Sequence, residues 1–363
     1  MKRALVALAV FLLSFACFTV SAGAEETDWW GAFEEVLPEG VGEGWDAENV
    51  SDRTGIEHLL EILIDGVGGE SNHFISLLLT MLGVIVIGSV ANLLSQEAGN
   101  GWQAGARMAI TLGTALTFYH ALSEVLNNVN TYLHDVLSFA DGLSPVLVGI
   151  LAGGGGTQTA ISSGTNMAGL LLLMEHLCVG VLPSVAGACF AFSLVGSLSE
   201  GVQVDGISAN LRGIYLTLLG VICTVAAAAL RLQTVIGAGR DSVAMQTARF
   251  AVGNMIPLAG NTIGATLGTL QTSLGLIKNT LGVSSIVVIF TLTVPVLLEV
   301  WGARLAVNLS QAVARLMGFT IGEKLLGDFR GVLDLLLAVT GLVSVTLILY
   351  LGVFVSLTLP GGA

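Results

Sequence analysis

Long apolar runs dominate the hydropathy pattern of the chain. Each run is close to or longer than the ~20 residues that an α-helix needs to cross ~30 Å of hydrocarbon. The strong runs are residues 74–94, 108–126, 167–199, 211–230, 281–303 and 332–357. A weaker run, residues 136–153, contains Asp141 and Pro145 and either crosses the membrane or enters and leaves it on one side. The pattern predicts an all-α, polytopic helical membrane protein with about six or seven transmembrane helices, some broken or re-entrant.

One of the strong runs has two interpretations. Residues 167–199 are longer than a single crossing needs, and Pro183 lies within them. A proline interrupts or bends a helix because it lacks the backbone N–H and clashes with the preceding turn. The run is therefore either one long helix or a hairpin divided at the proline.

Composition agrees with a membrane protein. The 363 residues are 54% hydrophobic and 11% charged, whereas soluble domains carry about a quarter charged residues. The mean hydropathy is +0.86. There is no Walker A sequence, nucleophile elbow, Rossmann fingerprint or HExxH spacing. We therefore expect no enzymatic activity, no cofactor, no metal and no nucleic-acid partner, and we expect the lipid bilayer as the surroundings.

The N-terminus has the three parts of a secretory signal peptide. A basic start and an apolar stretch lead to an A-x-A site before Glu25. We predict a cleavable signal peptide over residues 1–24, with an uncleaved first span as the alternative. Residues 25–70 hold fourteen of the 26 acidic residues and one basic residue, Arg53. This charge balance predicts an acidic extracytoplasmic segment, because basic residues concentrate in cytoplasmic loops.

The basic residues indicate the orientation of the later spans only in part. Arg107 marks the first loop as cytoplasmic. Residues 231–280 carry three arginines and one lysine, and they are the best cytoplasmic candidate downstream, provided that residues 136–153 cross the membrane. A second basic segment runs from Arg304 to Arg330. Simple alternation cannot put both segments in the cytoplasm, so one of them is not an ordinary loop.

The most unusual stretch of the membrane region is RDSVAMQTARFAVGNMIPLAGNTIGATLGTL, which begins at Arg240. On a helix it has one narrow polar stripe, then a proline break, then glycines spaced four apart, a spacing that lets helices approach closely. We predict that this stretch lines a pathway or forms a subunit interface. The candidate positions are Arg240, Ser242, Gln246, Arg249, Gly253, Asn254, Pro257, Gly260, Asn261, Gly264 and Gly268.

A second segment upstream has similar features. SPVLVGILAGGGGTQTAISSGTN joins Pro145 to a glycine run and then to Thr, Ser and Asn residues. Paired segments of this kind in two halves of a membrane protein indicate broken helices around a pathway. Ionisable residues inside apolar runs are also functional candidates, because a charge at the bilayer centre costs ~3 kcal/mol or more. The intramembrane polar candidates are Glu175, His176 and Glu299.

These features divide the chain into five parts. They are a signal peptide (1–24), an acidic extracytoplasmic segment (25–70), a first membrane-helix bundle (71–230) with a glycine-rich break at 145–166, an amphipathic, glycine-rich segment (231–280), and C-terminal membrane helices (281–363).

The stretch from Arg231 to Gly282, with the motif ARFAVGNMIPLAGNTIG, resembles the signature region of the stage III sporulation protein AE family. The signal peptide, the acidic outer segment and the multi-span C-terminal half are also similar to that family. The resemblance implies a multi-pass subunit of a channel or secretion-like complex between mother cell and forespore, needed for late forespore development.

The resemblance also implies a location and partners. The protein is expected in the mother-cell membrane around the forespore, together with the other stage III proteins of the complex and a forespore-side partner. We also expect a homo-oligomer. Two alternatives stay open from the residues themselves: a self-contained secondary transporter of a small solute, and a non-conducting membrane scaffold.

Overall fold

The structure is a computed structural model that describes residues 28–38, 56–97, 100–198, 205–255 and 260–356. These residues form helices, and no strand occurs among them. The helices are α1 (Asp28–Glu34), α2 (Ile56–Glu97), α3 (Asn100–Gly153), α4 (Thr157–Met174), α5 (Leu182–Leu198), α6 (Asp205–Met255), α7 (Gly260–Leu316) and α8 (Thr320–Ser356). The predicted all-α fold is confirmed. The predicted signal peptide, residues 1–24, lies outside the described residues.

Six helical segments in this part of the chain are long and apolar enough to cross a membrane. They are His73–Leu94, Gly105–Gly153, Thr157–Ser197, Gly206–Leu232, Thr272–Leu316 and Thr320–Val355. Their number confirms the prediction of about six or seven spans.

The weak run 136–153 is not a separate span. It continues the preceding apolar run in one helix, α3, with Pro145 inside it. The condition for a cytoplasmic 231–280 segment, a separate crossing by residues 136–153, is therefore not met.

The run around Pro183 forms one continuous helical column rather than a hairpin. Between α4 and α5 the backbone passes through a π-helical segment, Glu175–Val181. Pro183 is the second residue of α5, where a missing N–H costs little if the preceding turn is widened. The Tyr215 hydroxyl donates a 2.9 Å hydrogen bond to the Leu177 carbonyl in that segment. We call α4, the π-helical segment and α5 together the α4–α5 column.

Helices α7 and α8 form the centre of the bundle. They pack most extensively on each other, and α2 packs along α7. Every residue from Leu281 to Phe290 on α7 is buried. A helix that is apolar and buried on all sides is typical of the interior of a membrane bundle.

A tight turn joins α7 to α8 because Gly318 adopts a left-handed conformation with φ +67°. The N–H of Phe319 bonds to the Ala314 carbonyl at 2.9 Å, and the N–H of Gly318 bonds to the Arg315 carbonyl at 3.2 Å. These two bonds form the Schellman motif that ends many helices. Phe319 is buried, and a Cβ at Gly88 of α2 would lie 2.8 Å from its ring, so this turn docks closely on α2.

The two basic segments found in the sequence lie at opposite ends of the bundle. Asp241 contacts the first turn of the α4–α5 column, whereas Lys324 donates a 2.9 Å hydrogen bond to the Gly196 carbonyl near its last turn. At 1.5 Å per residue the column is roughly 60 Å long. The part of the 231–280 segment up to Met255 continues α6 as a helix, so it is not an ordinary loop.

Candidate functional site

The two glycine-rich segments meet at Asp241. This residue of α6 is 3% exposed. Its carboxylate accepts hydrogen bonds from the backbone N–H groups of Gln158 at 3.0 Å and Thr159 at 2.8 Å. These groups open α4, where N–H donors lack partners inside the helix and the helix dipole favours a negative charge. Asp241 therefore caps α4 from another helix.

Glycines in the turn before α4 make this approach possible. Gly155 has φ +87°, and the N–H groups of Gly155 and Gly156 bond to the carbonyls of Ala152 and Leu151 at 3.0 and 2.9 Å. The turn is a Schellman motif like the one after α7. A Cβ at Gly156 would lie 3.1 Å from the Leu151 oxygen and 3.7 Å from the Asp241 carboxylate. A side chain at this position would crowd the junction.

The predicted polar stripe and glycine face can be located only by their backbone. Arg240, Ser242, Gln246, Arg249, Gly253 and Asn254 lie on the last part of α6. Gly260, Asn261, Gly264 and Gly268 lie on the first part of α7. Pro257 and the side chains of all the others lie outside the described residues. Their roles therefore stay predictions. Asp241, the second residue of the stretch, has a described contact with another helix, which places the start of the stretch against the first turn of α4.

Glu299, predicted as an intramembrane polar candidate, is a buried carboxylate in a partly buried contact between three helices. It is 7% exposed on α7, and its Oε1 accepts a 2.7 Å hydrogen bond from Asn128 Nδ2 of α3. His73 Nε2 of α2 lies 3.9 Å from the same oxygen. A buried carboxylate needs such partners, since an unpaired charge in an apolar interior costs far more than a hydrogen bond returns.

A second buried contact contains only hydroxyl groups. Tyr132 of α3 shares hydrogen bonds with Thr293 of α7, at 2.9 Å, and with Ser344 of α8. All three are buried. The cluster lies one helical turn along α3 from Asn128, so polar contacts connect α3 to the central helices at two successive levels.

A third group of contacts gathers near the α7–α8 turn. Asp328 accepts a 2.7 Å hydrogen bond from Ser193 of α5 at its carboxylate and a 3.1 Å bond from Arg212 of α6 at its carbonyl. Arg315 pairs with Glu323 at 2.7 Å across the turn. Further along the same two helices, away from the turn, Arg304 forms an ion pair with Asp334. The second basic segment therefore fastens α5, α6, α7 and α8 to one another.

Glu175 and His176 are exposed on the surface of the described chain, in the π-helical segment. The structure does not bring them to Glu299 or to Asp241. Among the described residues, no group of three His, Cys, Asp or Glu side chains is arranged to hold a metal ion.

Sequence reasoning missed Asp241, Asn128, Tyr132 and Arg212. A signal existed for Asp241, because it is the only acidic residue between Asp205 and Glu299. A lone carboxylate in such an apolar region needs a donor nearby. Asn128 and Tyr132 carried no comparable signal, because their importance depends on the residues that face them.

The long helices, the central apolar pair and the buried polar contacts define a polytopic helical membrane protein. The chain belongs to the stage III sporulation protein AE family, whose model matches residues 47–358. A relative of the same name in Bacillus subtilis (strain 168) is 27% identical over 149 residues, which are 40% of this chain and 36% of that relative. The matched part is thus about a third of that relative's length. No solved structure matches the chain.

Family membership gives the chain a role in sporulation, and the six long apolar helices make it a membrane protein. The suspected family is therefore confirmed.

Proposed function

We propose that the chain is a membrane subunit of a channel or secretion-like complex that links mother cell and forespore and is required for late forespore development. Membership of the stage III sporulation protein AE family over residues 47–358 carries this proposal. The buried contacts of Glu299 and Tyr132 support it, because polar groups inside a membrane bundle are costly and mark functional sites.

Variants of the signature stretch test the proposal in sporulating cells that lack the wild-type protein. Arg249→Ala and Gly264→Leu should block late forespore development while the protein still reaches the membrane at normal levels. Val243→Ala is the control, since Val243 is exposed on the same helix as Arg249 and lies outside the predicted polar stripe. Normal forespore development with both variants would remove these positions from the proposed function.

Location and partners require separate measurements. We propose that the protein lies in the mother-cell membrane around the forespore, as a homo-oligomer, with other stage III proteins and a forespore-side partner. A fluorescent fusion should form a ring around the forespore, and affinity purification from sporulating cells should recover the other stage III proteins. A fusion spread evenly over all membranes would contradict this location.

A secondary transporter is the second candidate, favoured by the junction of the two glycine-rich segments at Asp241. It predicts solute uptake by the purified protein alone in liposomes, whereas a channel subunit needs its complex. A non-conducting scaffold is separated by cysteine substitutions at Ser242, Gln246 and Arg249. Labelling by a membrane-impermeant reagent indicates a wet path, and complete protection indicates a packed interface.

A further inference from the structure

Helix α3 changes the character of its exposed face along its length. Near its start the helix exposes the large apolar and aromatic side chains of Met108, Leu116 and Tyr119, which are 56%, 67% and 49% exposed, together with Arg107 and His120. From Glu124 to Asp141 every exposed residue is polar. We call this surface the α3 polar face, and it consists of Glu124, Asn127, Asn128, Thr131, His134, Ser138 and Asp141. These residues recur every three or four positions, so they lie on one side of the helix.

The α4–α5 column gives the height of this face relative to α6, because it packs against both helices. On the α3 side, the rings of Tyr119 and Phe190 lie 5.2 Å apart, and Gly164 is in close contact with Val148. The α3 polar face therefore runs alongside residues 164–190 of the column.

The same part of the column also contacts α6. Its Cys189 lies next to the Ser208 carbonyl, and its Leu177 carbonyl accepts from Tyr215. Further along, Thr159 meets Asp241. The apolar span of α6, Gly206–Leu232, therefore lies at the same height as the α3 polar face.

At that height, between the exposed Asn210 and Arg231, the exposed face of α6 carries apolar side chains and two threonines. The large exposed apolar side chains of the span are Ile207, Ile214, Leu218, Val221, Val225 and Leu232. The exposed Thr217 and Thr224 hydroxyls donate to the carbonyls of Gly213 and Gly220 on the same helix, at 2.8 and 2.7 Å. Their hydrogen bonds are thus satisfied without water. This face fits the hydrocarbon of a bilayer.

Hydrocarbon cannot cover the α3 polar face as well, because each carboxylate in the bilayer centre costs ~3 kcal/mol or more. The position of helix α1 also indicates water next to the α3 polar face. Helix α1 packs on this part of α3 through Phe33 and Phe139, whose rings lie 6.3 Å apart, while its Glu34 and Glu35 are exposed. Two further carboxylates beside Phe139 require water on this side of the bundle.

We propose that the α3 polar face borders a water-filled path at the depth where α6 faces lipid, and that polar solutes pass along this path. The inference rests on the proposed channel function and assigns its wall to α3.

Labelling of single introduced cysteines tests whether this face is wet. Asn127→Cys, Thr131→Cys and Ser138→Cys are compared with Val221→Cys and Val225→Cys, in opened membrane vesicles from sporulating cells. Maleimide reacts with the thiolate, which forms in water and not in hydrocarbon, so the α3 cysteines should react at least roughly tenfold faster than the α6 controls. The described native cysteines, Cys178, Cys189 and Cys223, are buried, and the wild-type chain gives the background. Equal, slow labelling at all five positions overturns the inference.

A second measurement asks whether the wet face is a path. Thr131→Trp and Ser138→Trp should block late forespore development with normal protein levels, whereas Val225→Trp, which faces lipid, should not. Normal development with both α3 variants, despite labelling of the cysteines, reduces the α3 polar face to a solvated surface and overturns the path. The sporulation role would survive that result, because it is measured with variants of the signature stretch.

Discussion

At the residue scale, Asp241 replaces a local capping residue. Gly156 precedes α4 and has no side chain, so the carboxylate that satisfies the first N–H groups comes from a residue 82 positions away from Thr159. The capping interaction is therefore also a tertiary contact between α4 and α6.

Removal of this carboxylate should destabilise the bundle. Asp241→Ala leaves the buried N–H of Thr159 without its acceptor, at a cost of about 1–3 kcal/mol, and it removes the partly buried bond from Gln158 as well. Asp241→Asn keeps one acceptor oxygen and should cost less. Thermal unfolding in detergent measures the difference, with Asp141→Ala, an exposed carboxylate of α3, as the control. Equal midpoints for Asp241→Ala and Asp141→Ala would contradict the capping role.

The hydrogen bond between Asn128 and Glu299 predicts that substitutions of the two residues are energetically coupled. A double-mutant cycle with Asn128→Ala and Glu299→Gln should give a coupling free energy of about 1–3 kcal/mol, because the bond involves a buried carboxylate. Denaturant unfolding of the four proteins measures it. Additive effects of the two substitutions would show that the bond contributes nothing to stability.

At the element scale, the sequence predicted the helices better than their limits. The residues of the α3 polar face lower the mean hydropathy between runs 108–126 and 136–153, so the two runs look like separate segments. The buried side of α3 kept its helical period through that gap, at Val125, Val129, Leu133 and Val136. Average hydropathy hid a continuous helix that the spacing of apolar residues indicated.

Close packing of α2 against the α7–α8 turn gives a prediction at this scale. Gly88→Ala adds a methyl group 2.8 Å from the Phe319 ring, and overpacking typically costs about 1–3 kcal/mol. Gly83→Ala on the same helix meets nothing within 4 Å and should stabilise the helix by roughly 0.5–1 kcal/mol. Thermal midpoints should therefore move in opposite directions. A lowered midpoint for both variants would contradict the prediction, because the loss of stability would then come from replacing any glycine of α2 and not from the contact with Phe319.

At the scale of the whole molecule, the sequence predicted the number of spans but not their sides. Arginines and lysines occur near both ends of the bundle, so counting them gave no consistent orientation. The structure shows that the two basic segments lie at opposite ends, because the α4–α5 column contacts Asp241 at one end and Lys324 at the other. The candidate site was predicted only in part, since Glu299 was visible in the sequence and its partners on α2 and α3 were not.

Topology reporters test the arrangement of the ends. A reporter at the Gly155 turn and one between α6 and α7 should lie on the same side of the membrane, because Asp241 binds α4 next to that turn. A reporter at Gly318 should lie on the opposite side. The same side for Gly155 and Gly318 would contradict the arrangement.

The junction at Asp241 also sets an order of events during synthesis. The Schellman turn after α3 can form as soon as its own residues are made. The N–H groups of Gln158 and Thr159 have no carboxylate to bind until Asp241 is made, 83 and 82 residues later. At roughly 5–20 residues per second, translation needs several seconds to supply it. The hairpin of α3 and α4 is therefore inserted first with an uncapped helix start, and the arrival of α6 completes it.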